Sequence, residues 1–286
     1  MIFVMAPRAV ASARRLTEVL ELPEAIADPE NPAPPAGIRG TVEFRDVSLT
    51  YQGAEKPVLE GISFTARPGE VTAVIGSTGS GKSTLVNLIP RFFDATGGQV
   101  LVDGVDVRQM SQRQLRERIG FVPQKALLFR GTIRENIAYG KPDATEEEIL
   151  AAAKTAQALE FIREKPGGLD APVAQLGQNF SGGQKQRLSI ARALVRRPEV
   201  YIFDDSFSAL DAKTDAALRA ALKETTGDAT VLIVAQKVST VMDADRILVL
   251  DGGGCVGMGT HRELLQSCPV YQEIVYSQMS AEEVEA

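Results

Sequence analysis

Gly76-Ser77-Thr78-Gly79-Ser80-Gly81-Lys82-Ser83 is the stretch on which the reading of this chain turns. It follows an apolar run, Glu70–Ile75, and opens a helical pattern over Ser83–Ile89, so its match to GxxxxGK[ST] falls in a strand-to-helix turn. Glycines let backbone N–H groups wrap an anion, and a helix start adds partial positive charge. Lys82 can neutralise terminal phosphate oxygens and Ser83 can ligate Mg²⁺. An ordinary glycine-rich turn needs no lysine and hydroxyl side by side at its end. The stretch predicts a phosphate cradle for a nucleotide, formed by Gly76, Ser77, Thr78, Gly79, Ser80, Gly81, Lys82 and Ser83 with Thr84 beside them.

Outward from the cradle, Gln99–Val102, Glu199–Phe203, Thr230–Val234 and Arg246–Leu250 are further short apolar runs of the kind buried in a sheet covered on both faces. Helical stretches alternate with them, which predicts an α/β core. Thr41–Thr50 and Val58–Ala66 predict antiparallel strands ahead of it. Between Gln124 and Val200 the pattern is helical with little strand signal, so a helical subdomain is expected over about residues 125–196. Thr145 with Glu148 forms a capping box opening Glu146–Thr155, and Ser181 with Gln184 forms another before Lys185–Val195. Val200-Tyr201-Ile202-Phe203-Asp204 reads as an apolar strand ending in an acid, which delivers a carboxylate to a phosphate-bound metal and makes Asp204 a candidate metal ligand.

The bulk properties of the 286 residues suit a globular chain with a real core: 44% are apolar and 24% charged. A net charge of -6 argues against a general nucleic-acid binder. Cys255 and Cys268 have no metal-ligand spacing and read as incidental thiols in a reducing compartment. The apolar start Met1–Ala6 is far short of the roughly 20 residues that span a bilayer, and it lacks the basic lead of a signal peptide. With Arg8, Arg14 and Arg15 following, it reads as the end of a truncated transmembrane helix. The alternative is an amphipathic helix that packs Val10, Ala13, Leu16, Val19 and Leu20 on the domain. Residues 23–37 form a proline-rich connector, too poor in apolar side chains to pack, so a domain is expected to begin near Ile38 and to run to the end of the chain.

Asn179-Phe180-Ser181-Gly182-Gly183-Gln184-Lys185-Gln186-Arg187, between the cradle and Asp204, resembles the signature motif of ATP-binding cassette (ABC) proteins. The resemblance covers about Ile38 to Gln278. It implies the phosphate-loop ABC cassette: a mixed RecA-like core, an antiparallel β subdomain and an inserted helical subdomain. It further implies that Tyr51 stacks on adenine, that Gln124 senses Mg²⁺ and couples to membrane domains, and that Asp211 belongs to a loop, Ser208–Asp211, at a dimer interface. In that family two cassettes face head to tail and sandwich two ATP molecules, so Ser181, Gly182, Gly183 and Gln184 would act on a partner's nucleotide. Phe129–Ile137 is similar to the exporter version of its segment. The resemblance therefore implies ATP and Mg²⁺ as ligands, a second exporter half, a transmembrane domain ahead of residue 1, and a place on the cytoplasmic face of the inner membrane. The fragment itself is expected to be soluble, with no nucleic acid as partner.

Two positions depart from the family pattern. Asp205 stands where a glutamate usually polarises the attacking water, and Gln236 stands where a histidine is usual. Aspartate is one methylene shorter, and glutamine cannot carry a transferable proton. General-base help is worth on the order of 10²–10⁴ in rate, so the pair predicts a site that binds ATP and hydrolyses it weakly. Lys82, Ser181 and Gly183 complete the candidate catalytic set, with the signature serving a partner that carries the usual glutamate and histidine. An active homodimer using Asp205 and a purely regulatory ATP-binding module are the alternatives. His261, the single histidine, reads as a structural residue near a helix start. Gln175 occupies a position where exporter cassettes often place a glutamate facing the membrane domain.

Overall fold

A computed structural model describes residues 2–21 and 26–279, with side chains from Ala6 onward. The chain opens with helix α1 (Ile2–Leu20), which continues past Pro7 and leaves Val10, Leu16, Val19 and Leu20 exposed. The apolar stripe therefore does not pack on the domain, contrary to the second of the two expectations for this segment. Among the described residues no helix is long and apolar enough to cross a membrane.

The antiparallel layer comes next: β1 (Val42–Leu49), β2 (Leu59–Ala66), β4 (Gly97–Val102) and β5 (Val105–Asp106) pair in the order β2-β1-β4-β5. Between its strands lie β3 (Val71–Gly76) and helix α2 (Lys82–Asn87), and after it α3 (Gln112–Glu117) leads into β6 (Ile119–Val122). The inserted helical unit holds α4 (Ile133–Ala138), α5 (Glu146–Thr155), α6 (Leu159–Glu164) and α7 (Gly182–Leu194), with a two-strand clip of β7 (Gly131–Thr132) and β8 (Pro172–Val173). The chain then returns through β9 (Val200–Asp204), α8 (Ala212–Thr225), β10 (Thr230–Val234), α9 (Val238–Val241), β11 (Arg246–Asp251), β12 (Gly254–Gly259), α10 (His261–Ser267) and α11 (Pro269–Tyr276).

The main sheet has the order β12-β11-β3-β10-β9-β6, parallel from β11 to β6 with β12 antiparallel at the edge. Strand β3 sits between β10 and β11, so the phosphate loop emerges inside the sheet's carboxyl edge rather than at its rim. Side-chain alternation divides the interior in two. Val74, Ile202, Leu232 and Leu248 face α2 and the antiparallel layer. Ala73, Ile75, Tyr201, Phe203 and Ile233 face the helices on the other side. Each fully buried aliphatic contributes about 1.5–3 kcal/mol. A charge at Val74 would strand itself beneath the loop.

Most expected elements are present with ends moved by a residue or two, as in β3 and α2, while α7 starts three residues before the expected Lys185; Gln99–Val102, expected in the sheet covered on both faces, instead belongs to β4 of the antiparallel layer, where it pairs with β1. The connector is a larger departure. Its backbone is laid along the cassette: Ala33 N–H donates to Gln109 O (2.8 Å), Gly37 N–H to Asp103 O (2.5 Å), and Gln112 N–H to the Asp28 carboxylate (2.9 Å). Prolines keep the segment extended, which leaves its remaining amides free to pair sideways. Ala33 supplies an apolar contact to the core on that side.

Candidate functional site: a phosphate loop facing two acids and two amides

Glycine is required in the loop for two different reasons. A Cβ on Gly76 would run into the Leu250 carbonyl, and one on Gly81, at φ +95°, would sit 2.8 Å from the Leu59 side chain. Gly79, at φ +84°, has open space where its side chain would be, so its backbone conformation rather than crowding calls for glycine. Ser77, Thr78 and Gly79 are exposed, whereas Ser80 is buried with its hydroxyl unpartnered. Lys82 folds back and donates to the carbonyls of Gly76 (2.8 Å) and Ser77 (2.7 Å), closing the loop into a ring. Burial lowers the pKa of its ammonium while the charges of Asp205 and Asp204 oppose that shift.

Strand β9 carries Asp204 to the same place. The Ser83 hydroxyl donates to Asp204 Oδ1 at 2.8 Å. Burial raises the Asp204 carboxyl above its ordinary value, the Ser83 hydrogen bond opposes this, Asp205 adds to it and Lys82 opposes it. Ser83, Asp204 and the Gln124 carboxamide together offer hard oxygen donors of the type a Mg²⁺ ion takes, and the unpartnered Ser80 hydroxyl and open Gly79 suit a phosphate above them. Nucleotide and metal thus fit the residues present.

Asp205 lies in the left-handed region at φ +45°, which aspartate tolerates better than most residues. Its N–H donates to Val234 O at 2.9 Å, and Ser208 Oγ donates to its carbonyl at 2.9 Å. Gln124 Nε2 and Gln236 Nε2 each donate to Asp205 Oδ2, both at 2.9 Å. A carboxylate can only accept, so both amides must present their nitrogens. The family resemblance implies that Gln124 senses Mg²⁺, and it sets Gln236 at the position usual for a histidine. In the structure both amides hold the acid between them.

The cleft bounded by Lys82, Ser83, Gln124, Asp205 and Gln236 has a volume of about 300 Å³. Tyr51 stands near its rim, half exposed, with its hydroxyl 3.1 Å from Thr84 Oγ1 and its ring edge-on to Phe93. None of the signature residues lines this cleft. Ser181 caps α7 in a reciprocal box with Gln184, and Ser181 and Gly182 face solvent. A Cβ on Gly183 would stand 3.1 Å from Ala209 O, which places the signature beside the Ser208–Asp211 loop. Asp211 caps α8, accepting from Thr214 N–H (3.0 Å), and this bond holds its carboxyl below the usual range. Gln175 is exposed next to Leu176. His261 begins α10 and pairs with the buried Tyr271 hydroxyl at 2.7 Å, away from the site.

Two supports escaped sequence reading. Ser206, fully buried, places its hydroxyl 2.9 Å from Val122 O and 3.2 Å from Asp204 O. Gln278 donates to Gln236 O at 2.8 Å and accepts from Val238 N–H at 2.9 Å, bracketing the turn that carries Gln236. No local pattern announces a pairing 42 residues apart.

A phosphate loop at the carboxyl edge of a mixed sheet, an acid from the neighbouring strand and a helical insertion ending in an exposed anion-type cap define a nucleotide-binding cassette. A family model for the ABC transporter matches residues 59–208, and the chain belongs to that family. An uncharacterized ABC transporter ATP-binding protein of Mycobacterium bovis is 51% identical over 282 residues, 97% of this chain and 48% of that protein. A beta-(1→2)glucan export ATP-binding/permease protein of Rhodopseudomonas palustris is 44% identical over 264 residues, 92% of this chain and 43% of that protein. The structure of a bacterial Atm1-family ABC exporter with ATP bound aligns with a TM-score of 0.91 at 35% identity, over 98% of this chain and 49% of that one. The chain spans about half the length of these relatives.

Proposed function

We propose that this chain is the ATP-binding portion of an exporter, working on the cytoplasmic face of a membrane, and that its own nucleotide site binds MgATP but turns it over slowly. Likeness to exporter proteins supports the first part. The observation that carries the second is the pair of amides on Asp205 Oδ2. Amides orient the carboxylate, yet neither can relay a proton, and the short side chain leaves Asp205 among its protein partners rather than reaching toward solvent.

In this reading Lys82 leaves the Gly76 and Ser77 carbonyls for the phosphates, while Ser83, Asp204 and Gln124 hold Mg²⁺, which neutralises phosphate charge when bound. Tyr51 supplies a face for adenine. The exposed Ser181–Gln184 cap completes the nucleotide site of a second exporter half that carries glutamate and histidine in place of Asp205 and Gln236. The transmembrane domain ahead of residue 1 supplies the route for the substrate. An active homodimer is the second reading, favoured by Asp205 Oδ1, which takes no side-chain donor among the described residues.

The double variant Asp205→Glu with Gln236→His separates the two. In single-turnover ATPase measurements on the assembled transporter, the degenerate-site reading expects a gain of about 10-fold or more at this site, within the range general-base catalysis supplies. Fast turnover by the unmodified chain alone, abolished by Asp205→Ala, would establish the homodimer.

A further inference from the structure

At the end of the main sheet away from the phosphate loop, where β3 begins, a second cleft of about 470 Å³ opens between α8 and α9. It shares no lining residue with the phosphate-loop cleft. Its size falls within the range of small-molecule pockets, roughly 300–1,000 Å³. Val71 of β3 with Val231 and Ile233 of β10 gives it an apolar lining. The cleft is there because of what α8 presents to the sheet. Leu218 and Leu222 are buried and anchor the helix, whereas the exposed side lining the cleft carries only the small Ala216 and Ala220, four residues apart. Two methyl groups do not fill the space that larger side chains would close.

A few polar groups join this apolar lining, and their charges are unequal. Arg219 and Lys223 lie four residues apart on α8, against the single acid Asp243. Arg219 reaches Asp215 at 3.4 Å and Asp243 at 3.3 Å, both long for charge-assisted bonds, which run at about 2.7–2.9 Å. The Asp243 side chain is 80% exposed, so it can give up Arg219 and turn to water. Asp215 does not line the cleft and keeps its own bond to Arg219. Lys223 forms no ion pair or side-chain hydrogen bond among the described residues. Thr240 also lines the cleft, three residues before Asp243; it is 5% exposed, and its hydroxyl has no hydrogen-bond partner among the described residues. An anion that replaces Asp243 thus meets two cations and one unspent hydroxyl. The lining carries no aromatic side chain, so nothing there stacks on a planar ring, and an aliphatic body fits it.

We infer that this cleft is a binding site for a single-chain alkyl carboxylate. Lys223 and Arg219 hold the head, and the chain lies on Val71, Val231 and Ile233. Burial of the chain supplies affinity, and the two cations of α8 set the sign of the head and the direction in which the chain enters. The occupant lies between two elements that lead away from the nucleotide site, since α8 is capped by Asp211 and α9 follows Gln236. With no residue in common between the clefts, the inference stands apart from the nucleotide reading.

Titration calorimetry of the whole chain with sodium decanoate, kept below micelle-forming concentration, tests it. One saturable site is expected, and octanoate should bind about 10-fold more weakly, since each buried methylene is worth about fourfold. Lys223→Gln should weaken decanoate by about 5- to 10-fold, the worth of one charge-assisted bond. Ala220→Leu, made at an exposed helix position, should fill the cleft and abolish binding while the chain still melts cooperatively. If that variant does not fold, Ala216→Leu decides in its place. Absence of a saturable site in the unmodified chain overturns the inference, as does decanoate binding that both leucine variants leave unchanged. Decyltrimethylammonium binding as tightly as decanoate overturns the assignment of the head to Lys223 and Arg219. Should the unmodified chain take up no decanoate and instead self-associate in sedimentation, with Ala220→Leu abolishing that association, the cleft is an interface between copies and the inference falls.

Discussion

The phosphate-loop edge and the signature cap are both anion-type turns, but they stand in opposite states. At the loop, the polar side chains are engaged with one another: Lys82 on two carbonyls, Ser83 on Asp204, Gln124 and Gln236 on Asp205. At the cap, Ser181 and Gln184 satisfy only each other's backbone, and Gly182 has nothing within 4 Å of where a side chain would stand. The loop must exchange internal bonds for ligand bonds when nucleotide arrives. The cap has no such exchange to make, since its helix is already formed and its open face needs only an anion brought to it.

The largest expected effect tests the loop side of this contrast. Lys82→Ala removes the one ammonium inside the cradle, and charge-assisted bonds to phosphate are the strong ones. Affinity for an ATP analogue should fall by about 100-fold, the equivalent of two such bonds at about 1.5 kcal/mol each. Equilibrium titration checks it. A loss under threefold would mean that the ring with Gly76 and Ser77 persists in the bound state.

Ser181→Ala examines the cap. It should leave the isolated chain's nucleotide affinity unchanged and lower its stability by about 1 kcal/mol through loss of the N-cap. ATPase of the assembled transporter should fall by about 10-fold, since one anion-binding donor is worth of that order. Unchanged ATPase would sink the idea that this face completes a second nucleotide site.

The contrast was only half legible in the sequence. The loop announces itself because its chemistry is local: eight consecutive residues carry glycines, lysine and hydroxyl in the spacing a phosphate needs. The capping boxes at Thr145 and Ser181 were legible for the same reason, and those at Thr132 and Thr260 follow the identical spacing. Strand β12 carries weak strand signal in Gly-Cys-Val-Gly-Met-Gly, and it forms because the turn at Gly252 and Gly253 folds it onto β11. The bonds from Gln124 and Gln236 to Asp205 were not legible, because they join three segments that only the sheet brings together. Family resemblance points these side chains at ligands, and the fold pairs them with each other.

A smaller effect separates the two signature glycines. A methyl on Gly182 meets nothing and removes backbone freedom from the unfolded chain, so Gly182→Ala should raise the melting temperature by about 2–4 °C, roughly 1 kcal/mol for a domain of this size. Gly183→Ala should give no gain, because its methyl would press on Ala209 O at 3.1 Å. Calorimetry on the nucleotide-free chain checks both. Equal gains would show that the Ser208–Asp211 loop yields freely, and the cap would then be less preformed than the comparison holds.

The smallest effect concerns Asp204 and carries its own sign. Burial raises its carboxyl pKa in the fold above the ordinary 3.8, so the folded state holds the proton more tightly than the unfolded chain does. Stability therefore falls as pH rises through the interval between those values, and the full penalty of the buried charge is present above the folded pKa. Asp204→Asn removes that charge and keeps an oxygen to accept from Ser83. At pH 7 the variant should melt higher, and the gain should shrink as pH is lowered toward the ordinary carboxylate range. The same change replaces a charged oxygen donor by a neutral one, so Mg²⁺ should tighten nucleotide binding less than in the unmodified chain. A variant that melts lower at pH 7 would show that Ser83 and Lys82 outweigh the burial of the charge. The loop edge would then be stable in its resting state rather than held at a cost that ligand relieves.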